Sequence, residues 1–139
     1  MKSLIRFFMS IPVFIYRLTN GAVGGNLGKF KALILTTKGR KSGKLHSNPV
    51  GYFERDGGYL IVASNAGKPS NPSWYYNIKG NPDDVMIQVQ DKQMKVKPEI
   101  ILGERRRPLY DWIVSQAPNF GDYEKNVTRE IPLVFLKPQ

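Results

Sequence analysis

The sequence contains no cysteine, a single histidine and no acidic residue before Glu54. Without cysteine there is no disulfide bond, no thiolate metal site and no cysteine nucleophile, which agrees with a cytoplasmic location. Because His46 is the sole histidine, a metal cage of several histidines is excluded and a Ser/His/Asp triad is disfavoured. We therefore expect no metal site, and hydrolytic and zinc chemistry rank low among the candidate activities.

The chain also lacks an apolar run long enough to cross a membrane. In its most apolar segment, residues 1–17, the longest charge-free run is about half of the roughly 20 residues that a spanning helix needs. On a helix, the polar side chains of this segment would form one narrow stripe: Lys2, Arg6, Ser10 and Arg17. Three interpretations stay open: packing on its own domain, peripheral membrane contact through residues 1–19, and a secretory signal.

The length limits the chain to one folded domain, because 139 residues are enough for one hydrophobic core and too few for two. We assign residues 1–26 to the amphipathic helix and a Gly- and Asn-rich linker. Residues 27–139 form the domain. The net charge of +10 lies almost entirely in the first third, which holds nine basic residues and no acidic one up to Phe53. This asymmetry indicates an anionic partner: a phosphate-bearing ligand, lipid headgroups or nucleic acid.

Much of this charge lies in one glycine-rich loop, TTKGRKSGK, at residues 36–44. Glycines permit positive φ angles, which let backbone N–H groups converge on an anion, while Arg40, Lys41 and Lys44 add charge and Ser42 adds a hydroxyl donor. The loop is not a P-loop, because it lacks the pattern GxxxxGK[ST]. On its own it leaves three alternatives: a solvated hairpin turn, a phosphate site and a contact with nucleic acid.

Most of the chain beyond residue 30 has the pattern of β-strands. Apolar runs and alternation predict strands at residues 32–37, 45–55, 59–64, 85–90, 93–102 and 131–136, and helices at residues 73–79 and 103–117. Pro49 marks an edge or a bulge, because proline cannot donate to a ladder, and Asp56-Gly57-Gly58 marks a hairpin turn. Hairpins with few helices between them predict a mainly β (α+β) fold, a small antiparallel barrel with helices at its ends.

Several motifs follow one another in an order that matches a known family. They are residues 33–44 (LILTTKGRKSGK), 49–50 (PV), 56–65 (DGGYLIVASN), 67–69 (GKP), 71–77 (NPSWYYN), 81–82 (NP), 120–123 (FGDY) and 128–136 (TREIPLVFL). Over residues 27–139 the sequence resembles the deazaflavin-dependent nitroreductase family, whose members use coenzyme F-420 on a split β-barrel of the FMN-binding-like type. The resemblance implies a reductase that transfers hydride from the reduced deazaflavin to a small electron-poor acceptor, such as a quinone, a nitro compound or an activated alkene.

The resemblance also implies where the cofactor lies. The basic loop would hold its anionic phosphate and polyglutamate tail through Arg40, Lys41, Ser42 and Lys44. The ring and the tail would lie along three further groups of residues: His46, Ser47, Asn48 and Pro49; Val62, Ala63, Ser64 and Asn65; Ser73, Trp74, Tyr75 and Asn77. Each group has a purely structural alternative: strand core for Val62 and Ala63, a barrel cap for Trp74 and Tyr75, and a surface position for His46.

Ser64 and Tyr123 are the candidate catalytic residues, carried over from matching family positions. We expect their hydroxyl groups to hydrogen-bond the acceptor or to donate a proton, while the alternative for Tyr123 is an aromatic plug. The sequence departs from the family pattern at His46 to Asn48, at Tyr76 and at Phe120. These departures concern the identity of the acceptor more than that of the cofactor.

Two other classes of protein are compatible with parts of the sequence. One is a split-barrel protein that binds FMN, either as a reductase or as a cofactor carrier. The other is a nucleic-acid-binding barrel, which the charge favours but the missing stacking-platform motif opposes, so we expect no nucleic-acid partner. We expect a monomer or a homodimer in the cytoplasm, with membrane association through residues 1–19 as the alternative location.

Overall fold

The computed structural model describes residues 26–27 and 30–139. The predicted N-terminal helix and most of its linker lie outside the described residues. So does the predicted lipid contact of residues 1–19. Within the described part of the chain, no helix is both long enough and apolar enough to cross a membrane.

The described strands form one curled antiparallel sheet. They are β1 (Asn26–Leu27), β2 (Phe30–Lys38), β3 (Leu45–Gly51), β4 (Phe53–Arg55), β5 (Gly58–Val62), β6 (Val85–Val89), β7 (Lys92–Ile101) and β8 (Leu133–Pro138). Their order is β1-β2-β6-β7-β8-β5-β4, and β3 pairs with β2 off this path. Every described pairing is antiparallel. The predicted mainly β split barrel is therefore confirmed.

Three described helices flank the sheet: α1 (Ser73–Gly80), α2 (Arg106–Gln116) and α3 (Asn119–Lys125). The first begins after Pro72 and ends at Gly80, as the proline before it and the glycine at its end predict. The second is preceded by a short 3-10 turn at Gly103–Arg105, and it tolerates Pro108 because that residue lies in its first turn. The third was not predicted, since its seven residues carry Gly121 in the middle and too little periodicity to be recognised.

Two hydrophobic clusters lie on the two faces of the sheet. The inner cluster fills the barrel and includes Leu33, Leu35, Ile61, Val134 and Leu136, together with Trp74, Tyr75 and Ile78 of α1. The outer cluster packs β5 and β8 against α2 and α3 and includes Leu60, Val62, Leu133, Tyr110, Ile113 and Phe120. Each fully buried aliphatic side chain contributes about 1.5–3 kcal/mol, so these clusters hold the helices in fixed positions on the sheet.

The single strand predicted over residues 45–55 is wrong. The structure breaks it at Tyr52, so that β3 pairs with β2 and β4 pairs with β5. The Tyr52 ring is buried in the inner cluster, and its N–H donates to the Lys31 carbonyl at 3.0 Å, which turns the chain from one half of the sheet to the other. Pro49 lies in β3, which among the described strands pairs with β2 alone, so of the two predicted alternatives, edge and bulge, the described pairings agree with the edge.

The ends of the other strands differ from the prediction by up to two residues, and two of these differences have a visible cause. The strand predicted at residues 59–64 ends at Val62, because Ser64 already has α-helical φ and ψ angles. The closing strand begins at Leu133, two residues later than predicted, since the carbonyls of Ile131 and Pro132 bond outside the ladder, to Arg106 and to Ala63. Both differences lie where the chain leaves the sheet next to α3.

Candidate active site

Three cavities adjoin one another along a groove between β3, α1 and the start of α3. The basic cavity, of about 310 Å³, is lined by Gly39, Arg40, Lys41, Ser42, His46, Asn48, Ser73, Trp74 and Asn77. The tyrosine cavity, of about 350 Å³, is lined by Pro49, Val50, Gly51, Val62, Ser64, Asn65, Ala66, Lys68, Pro72, Trp74, Asn119, Phe120 and Tyr123. A middle cavity of about 420 Å³ shares Asn48 with the first and Asn65 with the second. Trp74 lines all three, so the cavities lie next to one another around this residue.

The basic loop is a closed hairpin rather than an open turn. The N–H of Gly39 donates to the Lys44 carbonyl at 2.7 Å, and the N–H of Gly43 donates to the Gly39 carbonyl at 2.9 Å. A Cβ atom at Gly39 would lie 2.6 Å from Ser42 Oγ and 3.1 Å from His46 Nε2. Glycine at this position therefore lets the serine hydroxyl and the imidazole fold over the base of the loop, where both line the basic cavity.

Asn77 of α1 fixes the loop to the barrel. Its Oδ1 accepts from the Arg40 N–H at 3.2 Å and from Arg40 Nη1 at 2.9 Å, and its Nδ2 donates to the buried Thr37 hydroxyl at 3.2 Å. The Arg40 guanidinium also lies over the Tyr76 ring, 5.2 Å from its centre. The loop thus carries one tethered cation, while Lys41 is exposed and forms no ion pair with a described residue. Among residues 26–27 and 30–139, no acidic residue lines the basic cavity, so the cationic side chains there attract anions.

The tyrosine cavity is formed where the end of β5 meets α3. Ser64 is 8% exposed and lines this cavity together with Phe120 and Tyr123, whose rings pack edge to face with centres 5.5 Å apart. A Cβ atom at Gly67 would lie 3.3 Å from Tyr123 Cδ1, and Gly67 has a φ of 79°. Glycine is therefore needed here both for the close approach of the tyrosine and for the backbone conformation.

Strained backbone forms one wall of this cavity. Asn65 and Ala66 have φ angles of 51° and 55°, in the left-handed region that costs a non-glycine residue about 1–3 kcal/mol. The turn is held by hydrogen bonds from the Gly67 N–H to the Ser64 carbonyl at 2.9 Å and from the Lys68 N–H to the Asn65 carbonyl at 3.1 Å. Strained residues of this kind cluster at functional sites, and they persist only where the surrounding contacts hold the backbone in place.

A buried polar network supports α3 from behind. Arg106 is 4% exposed, and its Nη2 pairs with Glu124 Oε2 at 2.7 Å. Burial alone would raise the pKa of Glu124, but hydrogen bonds from Arg107 and Arg106 outweigh it and lower the pKa. The Tyr110 hydroxyl donates to the Phe120 carbonyl at 2.8 Å, and burial raises the pKa of Tyr110 to about 12. These contacts fix the helix that carries Tyr123.

The structure brings most of the predicted site residues into one groove. The predicted residues that line it are Arg40, Lys41, Ser42, His46, Asn48, Pro49, Val62, Ser64, Asn65, Ser73, Trp74, Asn77 and Tyr123. Four predicted residues do not line it: Lys44, Ser47, Ala63 and Tyr75. Ser47 bonds to Thr36 at 2.8 Å, and Ala63 and Tyr75 are buried in the inner cluster, where burial raises the pKa of Tyr75.

Sequence reasoning missed several residues of the groove: Gly39, Val50, Gly51, Ala66, Lys68, Ser70, Asn71, Pro72, Asn119 and Phe120. Most of these residues lie inside or beside the motifs given above, and this proximity to a motif is the sequence signal that indicates them as site residues. Pro72 immediately precedes α1 and Asn119 is the first residue of α3, so both line the groove from the start of a helix.

Comparison with known proteins gives the family. Residues 9–138 match the family described as F-420H(2)-dependent quinone reductase. The chain belongs to this family. An F-420H(2)-dependent quinone reductase of Mycobacterium tuberculosis is 35% identical over 126 residues, which cover 88% of this chain and 84% of the relative.

One solved structure agrees with this membership, and a second is similar in sequence and fold. The F-420-H2 dependent reductase FDR-A matches with a TM-score of 0.68 and 34% identity, over 76% of this chain and 93% of that structure. A domain-swapped dimer matches with a TM-score of 0.70 and 33% identity, over 86% of this chain and 90% of that structure. Membership in the F-420H(2)-dependent quinone reductase family confirms the predicted oxidoreductase class, the split barrel and F-420 as the cofactor. Quinone reductase is therefore the better-supported description of this chain, and nitroreductase is the looser one.

Proposed function

We propose that this protein transfers hydride from reduced F-420 to a quinone, with the cofactor lying along the groove from the basic cavity to the tyrosine cavity. The observation that carries the proposal is the adjacency of these cavities, since the cavity at one end is cationic and the cavity at the other is walled by apolar and hydroxyl side chains. An elongated cofactor with an anionic tail and a flat ring requires both ends at once.

The residues of the basic cavity fit the anionic part of F-420. Arg40 is held by Asn77 in a fixed orientation, Lys41 adds a charge that no described carboxylate neutralises, and Ser42 contributes a hydroxyl group. Charge-assisted hydrogen bonds to a phosphate are stronger than neutral ones, and a pre-positioned guanidinium loses little entropy on binding. These three residues would hold the phosphate, and the polyglutamate tail would extend past them into solvent.

The deazaflavin ring would lie beside Trp74 and the edge strand β3, against Pro49 and Val62. When bound, reduced F-420 supplies the hydride, and the protein positions the ring and excludes water. The hydroxyl groups of Ser64 and Tyr123 would then donate hydrogen bonds to the acceptor. Both line the tyrosine cavity, and the network behind α3 keeps the tyrosine from moving away.

A quinone is the acceptor class that this cavity fits best. Its walls include Val50, Val62, Pro72 and Phe120, which suit a flat apolar ring, while Ser64 and Tyr123 suit a carbonyl oxygen. Nitro compounds and activated alkenes remain secondary acceptors of the same proposed reaction. The match to a domain-swapped dimer supports the homodimer over the monomer. Peripheral membrane contact through residues 1–19 stays a prediction from the sequence.

Fluorescence titration tests the placement of the cofactor. We expect Lys41→Ala to weaken the binding of F-420 roughly tenfold, because it removes a charge-assisted contact to the phosphate. Binding of the deazaflavin riboside fragment, which lacks phosphate and glutamates, should not change. Lys92→Ala is the matched control, since Lys92 is exposed at the start of β7 and does not line the groove. Equal affinity of the wild-type protein and Lys41→Ala for F-420 would refute the phosphate assignment.

A further inference from the structure

Arg129 holds the strained turn of the tyrosine cavity from behind. Its guanidinium donates to four oxygen atoms: Nη1 to the Ala63 carbonyl at 3.3 Å and to Asn71 Oδ1, Nη2 to the Ser64 carbonyl at 2.9 Å, and Nε and Nη2 to the Lys68 carbonyl at 3.3 and 3.2 Å. All three guanidinium nitrogens are therefore engaged by the segment of chain that joins β5 to α1.

The charge of Arg129 has no carboxylate partner among the described residues. Burial lowers the pKa of the guanidinium, but arginine stays protonated at neutral pH. A cation that is partly removed from water and bonded only to neutral oxygens carries a field that neighbouring ions do not cancel. That field acts at the wall of the tyrosine cavity.

The same turn carries backbone donors in three residues that line the cavity. Ser64 has φ and ψ of −76° and −29°, and Asn65 follows with a φ of 51°. Successive residues in right-handed and left-handed conformations direct their N–H groups to one side and form a concavity that binds anions. The N–H groups of Ser64, Asn65 and Ala66 have no hydrogen-bond acceptor within the described residues, and all three residues line the cavity.

Arg129 and these donors act on the same peptide groups. The peptide group whose oxygen is the Ala63 carbonyl carries the Ser64 N–H, and the one whose oxygen is the Ser64 carbonyl carries the Asn65 N–H. A cation bonded to the oxygen of a peptide group polarises it, and its N–H becomes a stronger donor. The guanidinium also fixes the plane of both groups. Arg129 thus polarises and positions the peptide groups whose N–H donors belong to the residues that line the cavity.

We propose that Arg129 is a positioning residue that makes this turn an oxyanion site for the acceptor. The proposal rests on the proposed function. In the reduction of a quinone, the hydride and its electron pair form a new O–H bond at one oxygen, the π bonds rearrange, and the opposite oxygen becomes a phenolate. The N–H groups of Ser64, Asn65 and Ala66 would hold that phenolate until it takes a proton from water and completes the hydroquinone. Reduced F-420 gives up the hydride and, after losing a proton to water, becomes oxidised F-420.

A purely structural role for Arg129 makes a different prediction. If Arg129 only holds the loop in position, its loss lowers the rates with all acceptors by the same factor. If it stabilises negative charge, its loss harms most the acceptors that form the least stable phenolates. The dependence of kcat/KM on the reduction potential of the acceptor separates the two roles, since an electrostatic contribution to the transition state changes that slope.

The experiment compares the wild-type protein, Arg129→Met, Arg129→Lys and the control Arg105→Gln across a series of substituted naphthoquinones. Arg105 pairs with Glu99 outside the groove, so its substitution removes one positive charge and leaves the turn intact. We expect Arg129→Met to lose roughly tenfold more rate with the weakest oxidant than with the strongest, and Arg129→Lys to recover part of the difference. The affinity for F-420 should change less than threefold.

Anion binding gives a second readout that is independent of turnover. At neutral pH, 2-hydroxy-1,4-naphthoquinone is an anion and menadione is neutral, and both compete for the same cavity. We expect Arg129→Met to weaken inhibition by the anion roughly tenfold and binding of menadione much less. Equal losses for both compounds, or an unchanged slope across the acceptors, would overturn the proposal.

Folding and activity decide which proposal a negative result contradicts. If Arg129→Met fails to fold, Arg129→Gln removes the charge while its amide keeps donors for the loop carbonyls, and the same slope and inhibition ratio are measured on it. An unchanged slope and ratio in a folded Arg129→Gln would then overturn the proposal. Absence of quinone reduction in the wild-type protein contradicts the proposed function instead.

Discussion

Replacement of Asn77 tests how the basic loop is positioned. Asn77→Ala removes the acceptor of two hydrogen bonds from Arg40 and the donor to the Thr37 hydroxyl, which has no exposed surface. The Thr37 bond is neutral and buried and contributes about 1 kcal/mol. Because Arg40 is exposed, its two bonds are screened by solvent and together contribute about 1 kcal/mol. We therefore expect a loss of about 2 kcal/mol in the free energy of unfolding.

The same substitution should also weaken cofactor binding, since the loop loses its attachment to α1. Denaturant unfolding measures the first effect and titration with F-420 the second, where we expect a loss of about five- to tenfold. Asn81→Ala is the matched control: its Nδ2 donates to the Lys38 carbonyl at 3.2 Å in the same hairpin, but it does not line the groove. If both variants bind F-420 equally well, the role of Asn77 in positioning the loop is refuted.

Two further predictions concern the tyrosine cavity and its support. Gly67→Ala should lower the thermal stability by more than Gly43→Ala. Both residues have positive φ angles, which cost an alanine about 1–2 kcal/mol, but only at Gly67 would the added Cβ lie within 4 Å of Tyr123. Equal losses of stability would show that the contact with Tyr123 adds nothing to the cost. The lowered pKa of Glu124 means that its ion pairs stabilise the folded state above the ordinary value of 4.5 and that this contribution is lost as the pH falls below it. Denaturant unfolding between pH 7 and pH 3 should therefore show a steeper loss for the wild-type protein than for Glu124→Gln, and parallel curves would contradict the assignment.

The sequence was enough to predict the strands that carry hydrophobic alternation and the glycine turns between them. The Asp56-Gly57 turn has φ angles of 52° and 78°, as a two-residue hairpin turn requires. The break at Tyr52 could not be predicted from the local pattern, because it depends on the partner of each half of the segment. A strand pattern gives the alternation of side chains but not the neighbouring strand, and the turn at Tyr52 arises from its tertiary contacts.

The location of the site followed from the motifs, whereas its individual residues depend on the side of each strand that faces the groove. Val62 lines the tyrosine cavity and Ala63 does not, although they are neighbours in the same motif. The role of Arg129 also has no local signal, since its partners lie about 60 residues earlier in the chain. Such contacts become visible only when the fold brings the end of β5 next to the segment before β8.

Oxidation of reduced F-420 by menadione, catalysed by the purified protein, is the most direct test of the central claim. The recovery of oxidised F-420 is followed by absorbance in the presence and absence of the protein, with reduced FMN as the comparison donor. We predict saturable, protein-dependent oxidation of reduced F-420 that requires the quinone. The protein-dependent rate should be much lower when reduced FMN is the donor. A rate equal to that without protein, together with no detectable binding of F-420 at micromolar concentration, would contradict the account.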